Sequence, residues 1–391
     1  MTMLERRSFL TGAAALAALA SARAAFATAP TDRRFVLVLL RGGLDGLHAL
    51  PSHGDRDYRR LRPTLALSPD LALDLDGHFG LHPALADLMP LYRAEELLLV
   101  PAAATRYRDR SHFDGQNMLE NGSGKPYGAQ DGWLNRAILG LNGGDRRLGL
   151  ALGPSVPLIL QGPARVRSWS DSALPAADED FLARMTVAYR DDPLFAAALR
   201  DARGGAKPAV AMGDMASEPG RQQVYVKAAR AAADLLARPD GPRVAVLESQ
   251  GWDTHFAQER RLKELLGDLS RGLVELKRGL GEAWRETVVM VVSEFGRTAA
   301  ENGSRGTDHG TGGLALLAGG AVAGGRIVGD WPGLSERALY EGRDVLAANA
   351  YERLFKAVLI GHLGLDPGFV EDRVFPASRA QLRMDGLFRR V

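Results

Sequence analysis

There is no cysteine anywhere in the 391 residues, which excludes disulfides, thiolate nucleophiles and cysteine-ligated zinc. There is also no polybasic run. Setting aside residues 1–27 removes Arg6, Arg7, Arg23 and Glu5, which takes the 49 basic and 47 acidic residues to 46 of each. A chain this close to neutral has no global basic field to draw in nucleic acid or anionic lipid. Nor is there an apolar run of the ~20 residues needed to span a bilayer. What is present is 46% hydrophobic content over a length that holds one large α/β domain or two ordinary ones, ample for a buried core.

The N-terminus is separate from the fold. Arg6-Arg7-Ser8-Phe9-Leu10 precedes the alanine-rich run Gly12–Ala22, and Ala25-Phe26-Ala27 offers a small-residue cleavage site. This pattern predicts a twin-arginine export signal over residues 1–27, and with it the twin-arginine machinery as a partner and a periplasmic or secreted location. After its removal no stable transmembrane segment is expected.

The folded chain is organised around Thr287–Gly310, TVVMVVSEFGRTAAENGSRGTDHG. Val288–Val292 is an unalternated, β-branched run of the kind buried on both faces of a parallel sheet. Ser293 and Glu294 then fall at its carboxyl end, the edge of an open α/β sheet where ligands bind. A loop rich in glycine, asparagine and serine follows and leads to Asp308 and His309. The same pattern opens the domain: FVLVLL, residues 35–40, runs into Arg41-Gly42-Gly43-Leu44-Asp45-Gly46, where Asp45 is either a sheet-edge ligand or a turn aspartate. Residues 51–95 are proline-punctuated loops with a short helix near His82–Tyr92. The histidines there, 48, 53, 78 and 82, receive no role.

A third strand is expected over Glu96–Ala102, followed by DRSHFDGQ, in which Ser111 starts a helix as its N-cap or lies at a reactive centre, with His112 beside it as ligand or base. Short strands are expected at Leu148–Leu152 and Val156–Leu160. Between about 161 and 241 helical patterns dominate with no strong strand, which predicts a helical insertion that shapes a cleft. RVAVLE, residues 243–248, resumes the sheet and gives way to Asp253 and His255. Leu262, Leu265, Leu266, Leu269, Leu273, Leu276 and Leu280 recur at three- and four-residue spacing, an amphipathic helix. Strand, helix and central strand make a right-handed crossover unit, so Asp253, His255 and Glu294 emerge at one edge. His362, among apolar neighbours on the last helix, is expected to be packed.

Collected, the edge carries Asp45, Ser111, His112, Asp253, His255, Glu294, Asp308 and His309. Carboxylates with imidazoles suit one or two divalent ions, zinc, calcium, manganese or magnesium. Two such ions clamp the attacking and leaving oxygens of phosphoryl or sulfuryl transfer, with a serine or metal-bound hydroxide as attacker. The bland alternative pairs the same carboxylates with Arg41, Arg110, Arg297 and Arg305.

The motifs ERRSFLTG, VLVLLRGGLDGL, DRSHFDGQ, ESQGWDTH, SEFGRTAAENGSRGTDHG and a late GRD resemble those of the exported bacterial family catalogued as domain-of-unknown-function 1501. That family is similar in turn to the alkaline phosphatase and sulfatase superfamily. The resemblance implies a central, largely parallel sheet between helical layers over residues 33–391. It implies site residues at Asp45, Asp253, His255, Glu294 and His309, with Ser111 as nucleophile; together with the reading of the residues, the expected ligands are Asp45, Asp253, His255, Glu294, Asp308 and His309, with Ser111 or His112 at the reacting centre. Two departures stand out: Glu294-Phe295 replaces the superfamily's usual Asp-His, and Asp253 and His255 are more closely spaced. Two functions follow as expectations: a metal-dependent hydrolase of a small-molecule or glycan ester of phosphate or sulfate, or a non-catalytic exported protein that uses the fold to bind a partner or surface glycan.

Overall fold

A computed structural model of the chain describes residues 31–142, 148–171, 179–192 and 221–389, with 196 and 199. The expected export signal lies outside the described residues. Strands β1 (Arg34–Arg41), β4 (Leu97–Ala104), β5 (Gly149–Leu152), β6 (Val166–Trp169), β7 (Val244–Gln250), β8 (Thr287–Ser293), β9 (Gly313–Ala318), β10 (Arg326–Ile327) and β11 (Asn349–Ala350) form one sheet. A small hairpin of β2 (Leu73–Asp74) and β3 (Gly80–Leu81) stands apart from it. The order across the sheet is β10, β4, β9, β8, β1, β7, β5, β6, with β11 beside β4. Every pairing is parallel except those of β9, which runs against both β8 and β4. The expected α/β architecture is therefore the observed one.

The apolar runs fill both faces of this sheet, as their lack of alternation requires. Phe35, Leu37 and Leu39 point into one core with Val288, Met290 and Val292, and Val36, Val38 and Leu40 into the other with Val289 and Val291. The first core is closed by α1 (His112–Asn121), α2 (Trp133–Asn142) and α6 (Tyr351–Lys356), through Leu119, Trp133, Tyr351 and Phe355. The second is closed by α4 (Arg221–Leu236) and α5 (Gln258–Leu280). On α5 the buried leucines are 262, 266, 269, 273, 276 and 280, the three- and four-residue stripe of the sequence. They pack with Ala228, Ala229, Ala232 and Ala233 of α4, whose small side chains let the two helices approach closely.

Two expectations are corrected. Val156–Leu160 is not a strand: Leu158–Leu160 is a single 3₁₀ turn entered through Pro157, which has no N–H for a ladder, and the Ile159 N–H goes to the Glu120 carboxylate at 3.0 Å. Within the stretch read as free of strands, Val166–Trp169 pairs with β5 in parallel. This strand is short, half-exposed and polar, so it carries no burial signature. The chain also separates a second compact unit, Asp171–Gly220, within which Glu179–Ala188 is helix α3. Among the described residues no helix is long and apolar enough to cross a membrane.

Candidate functional site

Register fixes the site. Arg41 of β1 lies opposite Gln250 of β7, and Leu40 lies opposite Ser293 of β8, so three parallel strands end together. The loop after β7 carries Asp253 and His255, and Glu294 follows β8 directly. Residues after β1 turn over this edge so tightly that a Cβ at Gly42, whose φ is +124°, would stand 2.4 Å from the Asp253 nitrogen. His309 returns to the edge because two short backbone segments pair antiparallel: Gly310 N–H donates to the Gly296 carbonyl at 3.0 Å and Thr298 N–H to that of Asp308 at 2.9 Å. His112 is delivered from the first turn of α1.

Three imidazoles meet there around one carboxylate. His255 Nε2 is 3.0 Å from His309 Nε2, and these two stand 2.9 and 3.2 Å from Asp253 Oδ1. His112 Nε2 is 3.4 Å from Asp253 Oδ2 and, though buried, has no hydrogen-bond partner. In each ring the other nitrogen is bonded to an acceptor. His309 Nδ1 faces the Arg110 carbonyl at 2.9 Å, His112 Nδ1 the Glu294 carboxylate at 2.8 Å, and His255 Nδ1 the Asp308 carboxylate at 3.0 Å. A carbonyl only accepts, and so does an ionised carboxylate, so each Nδ1 carries the proton. Each Nε2 is thereby turned toward Asp253, where it offers a lone pair to a metal ion or, when protonated, a hydrogen bond to the carboxylate.

The donor set fits a metal ion. Ligand atoms of His112, Asp253 and His309 all lie within 4.8 Å of one another. A tetrahedral ion with bonds of ~2.0–2.1 Å holds its ligand atoms ~3.3 Å apart, and the contacts to Asp253 run from 2.9 to 3.4 Å. Each imidazole is backed by a carbonyl or carboxylate, the outer arrangement typical of metal-ligating histidines. The centre is open on one side: the side chains of Asp253 and His255 are 41% and 40% exposed, while Glu294 beneath them is 1% exposed.

Electrostatics follows from these partners. The hydrogen bond that His112 donates to Glu294 raises the pKa of His112 against the opposing effect of burial. Burial lowers that of His309. Burial pushes Asp253 up, but the hydrogen bond and charge of Arg297 outweigh it and hold the carboxylate below its usual range. Glu294 is lowered in the same way, burial being overcome by the bonds from His112 and Gln116. The same competition lowers Asp308, with His255 and Asn302 as donors. All three acids are thus held as anions.

Of the eight residues singled out from sequence, six form one connected group: His112, Asp253, His255, Glu294, Asp308 and His309. Asp45 is not among them. It is sealed in a pair with Arg62 at 2.7 Å, both side chains buried, and also accepts from Gln258 Nε2 at 2.6 Å. It is the turn aspartate, its side chain accepting the His48 N–H at 3.2 Å. Ser111 stands at the N-cap position of α1, next to His112, but its hydroxyl makes no cap bond; its N–H donates to the Tyr107 hydroxyl at 3.2 Å.

Three supporting residues went unread, and a fourth, Arg110, was read only as a charge. Gln116, one turn after His112, donates to Glu294 at 3.0 Å, and the i, i+4 spacing on one helix face was the available signal. Gln258 accepts from Thr254 and Thr307 while donating to Asp45. Asn302 ties its loop together by donating to the His255 carbonyl at 2.9 Å and to Asp308 at 3.1 Å. Arg110 adopts a left-handed backbone, φ +63°, and its carbonyl receives the His309 Nδ1–H. Sustaining that strained conformation are its ion pairs with Asp344 and Glu341.

The family described as "Protein of unknown function (DUF1501)" matches residues 98–370. Among curated proteins none matches the sequence. The solved structures similar to the chain include members of the alkaline phosphatase superfamily. Ps i-CgsB in complex with k-i-k-neocarrahexaose is 12% identical, with 90% of this chain and 77% of that chain covered and a TM-score of 0.45. The soluble domain of lipooligosaccharide phosphoethanolamine transferase A from Neisseria meningitidis is 12% identical over 87% and 90%, at 0.40. A TAB5 alkaline phosphatase mutant is 14% identical over 75% and 94%, at 0.35.

Proposed function

The chain belongs to the DUF1501 family, and from that premise we propose that it is an exported, metal-dependent hydrolase of a phosphate or sulfate ester. The observation that carries the reading is the convergence of three imidazole Nε2 atoms on the Asp253 carboxylate, each ring held by an acceptor at Nδ1. Export rests on Arg6-Arg7 and the apolar run after them.

In this reading His112, Asp253, His255 and His309 hold a divalent ion. Bound there, the ion would polarise the ester and lower the pKa of a water molecule. Glu294, Asp308 and the Arg110 carbonyl are the outer partners that keep the imidazoles oriented. Asp45 acts at one further remove, through Gln258 and then Thr254 and Thr307, which flank the loops of Asp253 and Asp308. Ser111, uncommitted as a cap at the head of a ten-residue helix and next in sequence to His112, is assigned the attack or the handling of a proton.

A second reading has one observation in its favour. Arg297, fully buried, donates to Asp253 Oδ1 at 2.6 Å, as a protein that keeps the fold without the reaction would have it. The guanidinium is fully buried, however, and bonds only Oδ1, which leaves Oδ2 without an arginine partner. A panel of aryl and glycosyl phosphate and sulfate esters, offered to chelated and metal-restored protein, separates the two. Metal-restored turnover that Asp253→Ala abolishes supports the hydrolase. Metal binding without turnover of any ester supports the non-catalytic exported binding protein, with a partner or surface glycan as its ligand.

A further inference from the structure

Two divalent ions need more donors than one, and every carboxylate at this edge has a protein partner. Asp45 is paired with the buried Arg62 and bonded to Gln258. Glu294 spends Oε1 on the Gly42 N–H at 2.8 Å, His112 and Gln116, and Oε2 on the Ser293 hydroxyl at 3.0 Å. Asp308 receives His255 and Asn302 on one oxygen. Asp253 Oδ1 is met by Arg297, which also donates to the Thr307 carbonyl and hydroxyl. Arg62 is equally committed, to Asp45 and to the carbonyls of Thr298 and Ala299 at 2.9 Å each. Both guanidiniums are fully buried, always charged and locked by several bonds, so neither swings aside to release its carboxylate without leaving a buried charge unpaired.

We infer that the centre takes one divalent ion per chain, the charge of a second being supplied by two built-in cations, Arg62 on Asp45 and Arg297 on Asp253. This deepens the hydrolase reading and rests on its metal site. Ligand atoms of His112, Asp253 and His309 lie close enough together to share one ion, with His255 beside Asp253 and His309, whereas a second ion would have to draw on Asp45, Glu294 or Asp308, each already bonded on at least one oxygen. The difference matters chemically. A single ion with a fixed guanidinium behind its carboxylate ligand cannot clamp attacking and leaving oxygens between two metals, so the leaving group must be assisted by the chain's own side chains.

Counting bound ions tests this in the full-length protein. Chelated protein is titrated with zinc, manganese, calcium and magnesium in turn, and the metal retained after gel filtration is measured. One ion per chain at saturation is the expected result. Two per chain overturns the inference while leaving the metal site in place. None with any of the four overturns the metal site and this inference together. Asp45→Asn sharpens the count: the folded variant keeps its single ion, with an affinity loss well below the ~10–100-fold that follows removal of a ligand's outer partner. Loss of the ion from a folded Asp45→Asn protein overturns the pairing of Asp45 with Arg62 as its reason for standing outside the site. Where that variant fails to fold, the count on the native chain decides alone.

Discussion

Two groups of histidines occupy the same fold and live by opposite rules. His112, His255 and His309 stand at the sheet edge with Nδ1 bound to acceptors and Nε2 turned toward a shared carboxylate. His48, His82 and His362 are buried elsewhere, and burial is the first cause that pushes each of them down to about 4. His48 has no hydrogen-bond partner at either ring nitrogen, and His362 Nε2 meets only the Arg34 carbonyl at 2.9 Å. Type and burial therefore do not make a histidine a ligand. What distinguishes the first group is the direction in which its partners fix the proton.

The largest effect expected from breaking the comparison is at the proposed ligands. His309→Ala and Asp253→Ala should each abolish retained metal and ester turnover, exceeding the ~10–100-fold cost of losing an outer partner. His362→Ala should leave retained metal unchanged. Equal metal content in all of these would erase the distinction.

Next comes the pH dependence of the second group. A histidine with a native value of about 4 and an unfolded value near ~6.5 binds its proton more readily in the unfolded chain between those limits. Stability from His48 and His362 is thus fully present above ~6.5, falls as pH drops toward about 4, and is flat below it, with on the order of 3 kcal/mol at stake for each. Denaturant midpoints at pH 7.5 and 5 check the sign, and His48→Leu should flatten the slope.

Smaller still is the loss of an outer partner. Glu294→Gln keeps a hydrogen-bonding side chain at the buried position but removes the charge behind His112, and metal affinity should drop ~10–100-fold as read by competition with a chelator. The smallest effect belongs to Arg343→Ala. Its guanidinium donates to the His309 carbonyl and to Asp344, but Arg110 also holds Asp344, so the cost in stability should stay within ~1 kcal/mol.

The strands and their shared edge were legible because continuous apolar runs and a leucine stripe report burial directly. From them Asp253, His255 and Glu294 could be brought together without knowing any distance. The internal partners were not legible. Nothing in the spacing of Asp45 and Arg62 says that the arginine reaches the aspartate, and Gln258 and Asn302 act through folded loops whose geometry is tertiary. β6 escaped because a four-residue polar edge strand resembles a loop. The left-handed backbone of Arg110 escaped because a charged residue rarely adopts that conformation unless its surroundings hold it there.

The central claim is that the imidazoles gathered on Asp253 hold a divalent ion, and thermal unfolding of chelated protein reads this most directly. An ion that binds only the native state at about 100 times its Kd adds ~2.7 kcal/mol, which for a chain of this size raises the midpoint by roughly 3–4 °C. The account predicts that rise with at least one of zinc, manganese, calcium and magnesium, and its disappearance in His309→Ala. A midpoint unmoved by all four ions, or moved equally in His309→Ala, would contradict it.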